Sequence, residues 1–198
     1  MSVNLQLVEE FATKAHVGQT RRDSGVPYIE HPKRVAHNVR LFYQYYVENG
    51  GKLSCDTLRA AALLHDTIED TETTLEDINN LFGDTISHLV DELTTDNVTL
   101  STVGKTEYLS QKMCEMSMDT LFVKYCDRMD NLHDYQSSPD IARALKYAES
   151  TAVILQNIAK NDITKYGDIR FEQIHTYVRN VVVTLLDKCN NISYKIEK

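Results

Sequence analysis

The sequence predicts an all-α protein built as a single domain around one hydrophobic core. Helix breakers are scarce, since the 198 residues include only seven glycines and three prolines. Apolar residues recur at intervals of three and four over long stretches, which is the period of a helix with one buried face. The alternation typical of a β-strand is weak throughout. We expect the domain to occupy residues 1–185 and a C-terminal tail to occupy 186–198.

The helices of the N-terminal half follow from this period and from local breaking signals. Residues 5–15 form one apolar helical face, and GQTRRDSGVP after them is predicted to be a loop. The next helix is expected to begin at HPKRVAHNV, with Pro32 in its first turn, where a missing N–H costs little. A strongly apolar helix is predicted from Cys55 to about Thr67, and we treat it as continuous to residue 70.

The C-terminal half continues in the same way. TTLEDINNLF is predicted to be a helix opened by a threonine cap with acidic residues in its first turn, and GDTISHLVDEL supplies another. The polar stretch TTDNVTLSTVGK lacks periodicity and is predicted to be a loop. SMDTLFVKYCDRMDNLHD is helical, SSPD caps the next helix, and residues 139–160 and 170–187 are long amphipathic helices. NNISYKIEK is expected to fray.

Charge and composition exclude several classes of function. The formal net charge is −8, which argues against broad nucleic-acid binding because affinity for a phosphate backbone requires clustered Lys and Arg. No apolar run approaches the ~18–20 residues needed to cross a bilayer, so we expect no membrane association. The N-terminus lacks the apolar core of a signal peptide, and the four cysteines form no CxxC pair. We therefore expect a reduced, cytoplasmic protein.

The stretch AALLHDTIED places a histidine and three carboxylates behind a buried apolar run. On a continuous helix His65 and Glu69 are four residues apart, as are Asp66 and Asp70, so both pairs project from one surface. Like charges this close repel unless a cation or solvent relieves them. The two interpretations are a bound divalent metal and a solvated helix end. The position of His65 at the edge of a buried stripe favours the metal.

A second candidate lies in VKYCDRMDNLHD. Asp127 and Asn131 are four residues apart on a helix whose other side is apolar, so a partly buried Asp127 needs a partner. Arg128 is one candidate for that partner. The structural alternative is a simple helix salt bridge from Arg128 to Asp130 or Asp134.

His31, in PYIEHP, is a third candidate, either as a metal ligand or as a helix cap or loop residue. Together with the other candidates it would complete a set of two imidazoles and two carboxylates: His31, His65, Asp66 and Asp127. That set suits Mn²⁺, Fe²⁺ or Zn²⁺ and is unlike an all-oxygen Ca²⁺ site. The sequence alone does not show that these side chains converge.

The order of these motifs resembles the HD-domain metal phosphohydrolases, and in particular the Rel/Spo-type alarmone hydrolases. GQTRRDSGVPYIEHP is similar to their GQxRxSGxPYIxHP segment, AALLHDTIEDTETTLEDI to their HD and ED motifs, and VKYCDRMDNLHD to their VKLADRxxNL segment. The resemblance extends over residues 5–160 and implies an HD-type helical bundle. The length resembles the small Mesh-type hydrolases, because nothing after residue 185 could hold the synthetase domain of the long enzymes. We therefore expect hydrolysis without synthesis.

The resemblance also implies a role for each candidate residue. One Mn²⁺ ion would be held by four side chains, namely His31, His65, Asp66 and Asp127. Glu69 and Asp70 would orient and deprotonate the attacking water.

Substrate contacts are implied in the same way. Arg21 and Arg22 match the basic pair that packs on guanine and touches phosphate, and the sequence leaves open which of them stacks on the base. Asn131 would contact the nucleoside. Lys105 and Arg143 fall where Mesh-type enzymes place phosphate-binding cations.

The function implied is hydrolysis of the 3′-pyrophosphate of guanosine 3′,5′-bis(diphosphate) (ppGpp) or its pentaphosphate analogue (pppGpp), giving GDP or GTP and pyrophosphate. Mesh-type relatives also remove the 2′-phosphate of NADPH, which stands as an alternative substrate. An HD-type deoxynucleotide phosphohydrolase shares the metal motif, but PYIEHP and the ED segment weigh against it. A nucleotide-binding regulator whose metal site has lapsed is the non-enzymatic alternative. The sequence leaves open the preferred substrate, the native metal and the oligomeric state.

Overall fold

A computed structural model describes residues 3–196, except for the side chains of Asn97 and of residues 192–196. Within this part the chain is helical, and its only β structure is one isolated antiparallel bridge between Thr20 and Pro27. The prediction of an all-α fold is confirmed. The described helices include none that combines the length and the apolar character needed to cross a membrane.

The helices are, in chain order, α1 Leu5–Ala15, α2 Glu30–Glu48, α3 Cys55–Leu64, α4 Thr67–Asp70, α5 Leu75–Phe82, α6 Asp84–Leu93, α7 Asn97–Val103, α8 Lys105–Glu115, α9 Met118–Gln136, α10 Ile141–Tyr166 and α11 Glu172–Ile196. They group into two compact units, and α9 contributes residues to both. The first unit consists of the chain up to Asp96 together with Met116–Asp127, and the second begins at Asn97 and resumes at Arg128.

Helix α3 lies at the centre of the first unit, where it packs against α1, α2 and α6. Ser54 caps its N-terminus, and the Ser54 hydroxyl accepts a hydrogen bond from Thr57 N at 3.1 Å. Residues 60–64 are all buried, and each fully buried leucine among them stabilises the fold by roughly 1.5–3 kcal/mol. The alanines let neighbouring helices approach closely. This burial fixes the end of α3 and therefore the residues that follow it.

The helix does not continue to residue 70, so that expectation is wrong. Helix α3 ends at Leu64, a turn at His65 and Asp66 follows, and the short helix α4 begins at Thr67. The buried Thr67 hydroxyl donates to Leu64 O at 2.7 Å and so satisfies a carbonyl at the end of α3. Asp66 has φ −103°, about 40° from the regular helical value.

Two helix caps that the sequence predicts are confirmed. Thr74 and Asp77 form a complete capping box at the start of α5, and the Asp140 side chain accepts from Arg143 N at the start of α10. Gly83 lies between α5 and α6 with φ 83°, a conformation that favours glycine.

In the second unit, helix α10 packs against both α8 and α11. The loop predicted after residue 94 is wrong, because residues 97–103 form α7, which Gly104 separates from α8. Contact with α8 supports α7 despite its weak apolar period. Helix α11 also continues to Ile196 through residues expected to fray, with Cys189 buried on it. The domain boundary proposed at residue 185 stays a prediction.

Candidate metal centre

Three of the four predicted ligands come together in the first unit. His31, His65 and Asp127 each offer one ligand atom, and these atoms all lie within 4.8 Å of one another. His31 lies in the first turn of α2, His65 follows α3 directly, and Asp127 lies on α9. All three residues are buried, so the group is held by the core and could bind a metal ion.

Asp66, the fourth predicted ligand, faces the same group. Its Oδ2 atom lies 2.9 Å from His65 Nε2 and 3.7 Å from His31 Nε2. Asp127 Oδ1 lies 3.2 Å from His31 Nε2 and 3.7 Å from His65 Nε2. Two imidazole nitrogens and two carboxylate oxygens therefore point toward one another.

The orientation of His65 shows that a positive charge belongs between its ring and the two carboxylates. Its Nδ1 atom lies 2.8 Å from the carbonyl oxygen of Ala62, and because a carbonyl only accepts, Nδ1 carries the hydrogen. Nε2 is buried and makes no hydrogen bond of acceptable geometry within the described residues, although Asp66 Oδ2 is close. A neutral imidazole would aim its lone pair at two carboxylates. A proton or a metal cation must therefore lie there, and the N₂O₂ donor set fits a divalent transition metal.

The pKa values of His65, Asp66 and Asp127 reflect the charges that these side chains place on one another. Burial would lower the pKa of His65, but Asp66 and then Asp127 outweigh it and raise that pKa to about 10. Burial would raise the pKa of Asp66, but His65 and then His31 hold it below its usual range. Lys124, helped by the two histidines, holds the pKa of Asp127 well below its usual range despite burial. Both carboxylates are therefore ionised at neutral pH and available to a cation.

Lys124 was missed by the sequence analysis. Its Nζ atom lies 2.8 Å from Asp127 Oδ2, and its side chain is buried. Burial would lower the pKa of Lys124, but Asp127 and Asp66 outweigh it and raise that pKa, so the amine stays charged. Lys124 is therefore the buried cation beside Asp127, whereas Arg128 donates to Thr151 in the second unit. The i,i+3 spacing in VKYCD was the signal available for Lys124.

Tyr28 was also missed. Its hydroxyl donates to Asp66 Oδ2 at 2.7 Å, and its ring makes an edge contact with His31 at 6.0 Å between centroids. Burial and the neighbouring Asp66 raise the pKa of Tyr28, so the phenol stays protonated and remains a donor. The tyrosine precedes His31 by three residues in PYIEHP, but no spacing rule pairs it with a residue 38 positions away.

The two residues of the ED motif lie on α4 but not on the continuous helix that was expected. Glu69 is half-buried, and its Oε1 accepts from Thr95 N at 2.6 Å. Asp70 is exposed, and its main-chain carbonyl accepts from Gln19 Nε2 at 2.6 Å. One carboxylate is thus anchored and the other is accessible to solvent.

The loop after α1 carries the predicted arginine pair. The Arg21 guanidinium lies over the Tyr28 ring at 5.6 Å, while Arg22 is exposed. The loop is closed by hydrogen bonds from Arg21 N to Val26 O and from Gly25 N to Arg21 O, both 2.8 Å. Arg21 is therefore held beside Tyr28, the residue whose hydroxyl contacts Asp66. The substrate role of both arginines stays a prediction.

The three remaining predicted substrate contacts belong to the second unit. Lys105 is exposed at the first turn of α8, and Asn131 is half-buried on α9. Arg143 Nε donates to Tyr135 Oη at 3.2 Å, and its guanidinium lies 5.2 Å from that ring centroid. Their roles in binding substrate stay predictions.

Comparisons with known proteins identify the family of this chain. A family model described as HD domain matches residues 9–162. Human guanosine-3′,5′-bis(diphosphate) 3′-pyrophosphohydrolase MESH1 is 36% identical over 132 residues, which cover 65% of this chain and 69% of that protein. A probable GTP pyrophosphokinase from Mycobacterium leprae is 37% identical over 158 residues, covering 76% of this chain but only 19% of that protein.

A solved structure shows the same fold. It belongs to a metazoan orthologue of SpoT described as hydrolysing ppGpp and playing a role in starvation responses. The TM-score is 0.69 at 23% identity, and the match covers 90% of this chain and 94% of that one. At this identity the likeness concerns the fold alone.

Proposed function

Since the chain belongs to the HD-domain family, and within it to the MESH1-type pyrophosphohydrolases, we propose that it hydrolyses the 3′-pyrophosphate of ppGpp or pppGpp. The products are GDP or GTP and pyrophosphate. The observation that carries this proposal is the buried His–Asp group, whose members lie within residues 9–162, the part of the chain that the HD-domain model matches.

We propose that His31, His65, Asp66 and Asp127 hold one divalent ion, with Mn²⁺ as the first choice. Two imidazoles with two carboxylates suit Mn²⁺, Fe²⁺ or Zn²⁺, and Mn²⁺ comes first because of the resemblance to the alarmone hydrolases. When bound, such an ion supplies Lewis acidity that lowers the pKa of a water and polarises a phosphoryl oxygen. The buried Lys124 holds Asp127 from the side away from the histidines and limits the net negative charge of the group.

Glu69 and Asp70 act on the attacking water. Thr95 N–H fixes one oxygen of Glu69, so that carboxylate has a defined direction and can orient the water and accept its proton. Asp70 is exposed, and its carboxylate can pass the proton to solvent.

Substrate binding requires local positive charge, because the substrate is highly anionic and the chain has a net charge of −8. Arg21 and Arg22 provide it in the first unit. Because Arg21 is held on the Tyr28 ring and Arg22 is exposed, we propose that Arg21 stacks on the base and that Arg22 contacts phosphate. For Lys105, Asn131 and Arg143 the proposal rests on the resemblance alone.

We further propose that the protein works in the cytoplasm on a small-molecule substrate. All four cysteines are free, as is usual in a reducing compartment.

The deciding experiment incubates the purified protein, with and without added Mn²⁺, with ppGpp, pppGpp, NADPH and deoxynucleoside triphosphates. Chromatography should show GDP or GTP with pyrophosphate, dependent on Mn²⁺. Release of phosphate from NADPH alone would make the protein a 2′-phosphatase, and turnover of deoxynucleotides alone would make it a deoxynucleotide phosphohydrolase. Tight binding of ppGpp without turnover would make it a regulator. Each of those three outcomes overturns the proposal.

A further inference from the structure

Tyr28 connects the loop that carries Arg21 to the candidate metal centre. The Tyr28 hydroxyl donates to Asp66 Oδ2 at 2.7 Å. The same oxygen is the one that lies 2.9 Å from His65 Nε2. A carboxylate turns freely about its last bond unless an oxygen is held, and this hydrogen bond holds the oxygen that faces the histidines. The hydroxyl therefore sets the direction of Asp66.

The position of the hydroxyl is itself fixed by packing around the ring. The His16 ring lies at 4.9 Å between centroids and the His31 ring at 6.0 Å. The Arg21 guanidinium covers the ring at 5.6 Å, and Tyr28 N donates to Gln19 O at 3.0 Å. A donor placed this firmly orients its acceptor, because little conformational freedom is left to lose when the bond forms.

Gln19 makes a second connection from the same loop. Its Nε2 donates to the main-chain oxygen of Asp70 at 2.6 Å, while its Oε1 accepts from Nδ1 of the buried His16 at 2.7 Å. The loop is therefore bonded to both ends of the segment 66–70. One bond reaches a predicted metal ligand, and the other reaches the backbone of the ED motif.

We propose that Tyr28 is a positioning residue for the metal centre, acting through its hydrogen bond to Asp66. The inference rests on the proposed metal site and adds to it an outer partner for one ligand. Residues that orient a ligand from outside its coordination sphere typically change metal affinity 10- to 100-fold when replaced. Gln19 bonds the ED segment directly and reaches Tyr28 only through the His16 ring, so the two residues should differ in how strongly they affect the metal site.

The test is Tyr28→Phe, which removes the hydroxyl and keeps the ring. Calorimetric titration of the metal-free protein with Mn²⁺ should give a Kd about 10- to 100-fold weaker than that of the parent. The matched control is Tyr43→Phe, which removes a hydroxyl that donates to Leu53 O at 2.9 Å on another part of the first unit. That control should keep the parental Kd. An unchanged Kd in Tyr28→Phe would overturn the proposal.

Kinetics separate positioning from a general structural effect. At saturating Mn²⁺, Tyr28→Phe should recover the parental kcat and keep KM for ppGpp within about twofold, because the ring beneath Arg21 remains. Tyr28→Leu should show the same loss of Mn²⁺ affinity and a raised KM as well. It also serves as a second test of the affinity loss if the phenylalanine variant fails to fold. A kcat that saturating Mn²⁺ does not restore would overturn the proposal.

Gln19→Ala completes the comparison. It should weaken the Kd for Mn²⁺ less than Tyr28→Phe does and lower kcat, since it frees the carbonyl of Asp70 but leaves the Tyr28 hydroxyl on Asp66. An Mn²⁺ Kd weakened as much as in Tyr28→Phe would refute the specific link to Asp66. If the parent protein binds Mn²⁺ but does not hydrolyse ppGpp, the proposed function fails while the affinity comparison still decides the role of Tyr28.

Discussion

Replacing Lys124 by methionine removes a buried cation and leaves a chain of similar length to fill its place. The Lys124 amine lies 2.8 Å from Asp127 Oδ2, and both side chains are largely excluded from solvent. The carboxylate of Asp127 would then lose its lysine partner and keep the histidines, of which His31 Nε2 lies 3.2 Å from Oδ1. A buried charge that loses its partner pays a desolvation cost that attraction no longer offsets.

The loss of stability can be estimated from the burial of Asp127 and from the histidines that remain beside it. Removing one member of a buried ion pair typically costs about 3–5 kcal/mol, and the remaining imidazoles place Asp127 at the lower end, about 3 kcal/mol. For a chain of this length each kcal/mol lowers Tm by roughly 2–4 °C, so we expect a fall of about 6–12 °C. Saturating Mn²⁺ should narrow the difference, because a divalent cation compensates the same carboxylate.

Thermal unfolding of the metal-free protein measures the effect, with Lys33→Met as the control. Lys33 lies 3.3 Å from Glu9 and 3.5 Å from Glu30, but 34% of its side chain is exposed. Solvent screens such pairs, so the control should lose at most about 1 kcal/mol. If Lys124→Met lowers Tm no more than Lys33→Met does, Asp127 does not depend on the buried amine and the reasoning fails.

Three further substitutions test the roles of individual side chains. Asp66→Asn should lose Mn²⁺ retention and turnover together, whereas Glu69→Gln should keep the ion and lower kcat by about 100-fold or more, as measured by titration and product chromatography. Hydrolysis by Glu69→Gln at the parental rate would show that the role given to Glu69 is wrong. The pKa of His175 lies below its ordinary value of 6.5 because burial and the nearby Arg179 disfavour the imidazolium more than Asp162 favours it. The unfolded chain therefore binds this proton at higher pH than the folded chain, so the free energy of unfolding should fall as pH drops below about 6.5. His175→Gln should flatten that dependence in urea titrations between about pH 7 and pH 5, and an unchanged slope would exclude His175 as its source.

Helix starts could be predicted from the sequence where the signal is local. Thr74 and Asp77 are three residues apart and satisfy each other's backbone, and Asp140 caps the helix that follows it directly. Such interactions need no information about the rest of the chain. The helix α7 was missed for the opposite reason, since its support comes from packing against α8 and not from its own apolar period.

The candidate site likewise contains residues that the sequence could predict and residues that it could not. The four candidate ligands could be selected by residue type and by resemblance, and the structure places their side chains close together. Tyr28 and Gln19 could not be identified from the sequence. Their hydrogen-bond partners lie 38 and 51 residues away, and neither sequence separation matches the period of a helix or a strand. Which donor reaches which acceptor is decided by the packing of α1, α2 and α3, and no single segment contains that information.

The turn between α3 and α4 explains why a site can form here at all. Adjacent side chains on a regular α-helix point about 100° apart, so neighbouring residues of a continuous helix do not face one another. The expected helix through residue 70 would therefore have separated His65 from Asp66. Because α3 ends at Leu64 and Thr67 satisfies its carbonyl, the two side chains converge to 2.9 Å between Nε2 and Oδ2. The apolar run that precedes them anchors the turn in the core. His65 keeps helical backbone angles, so the departure at Asp66, with φ −103°, is what allows both side chains to face His31 and Asp127.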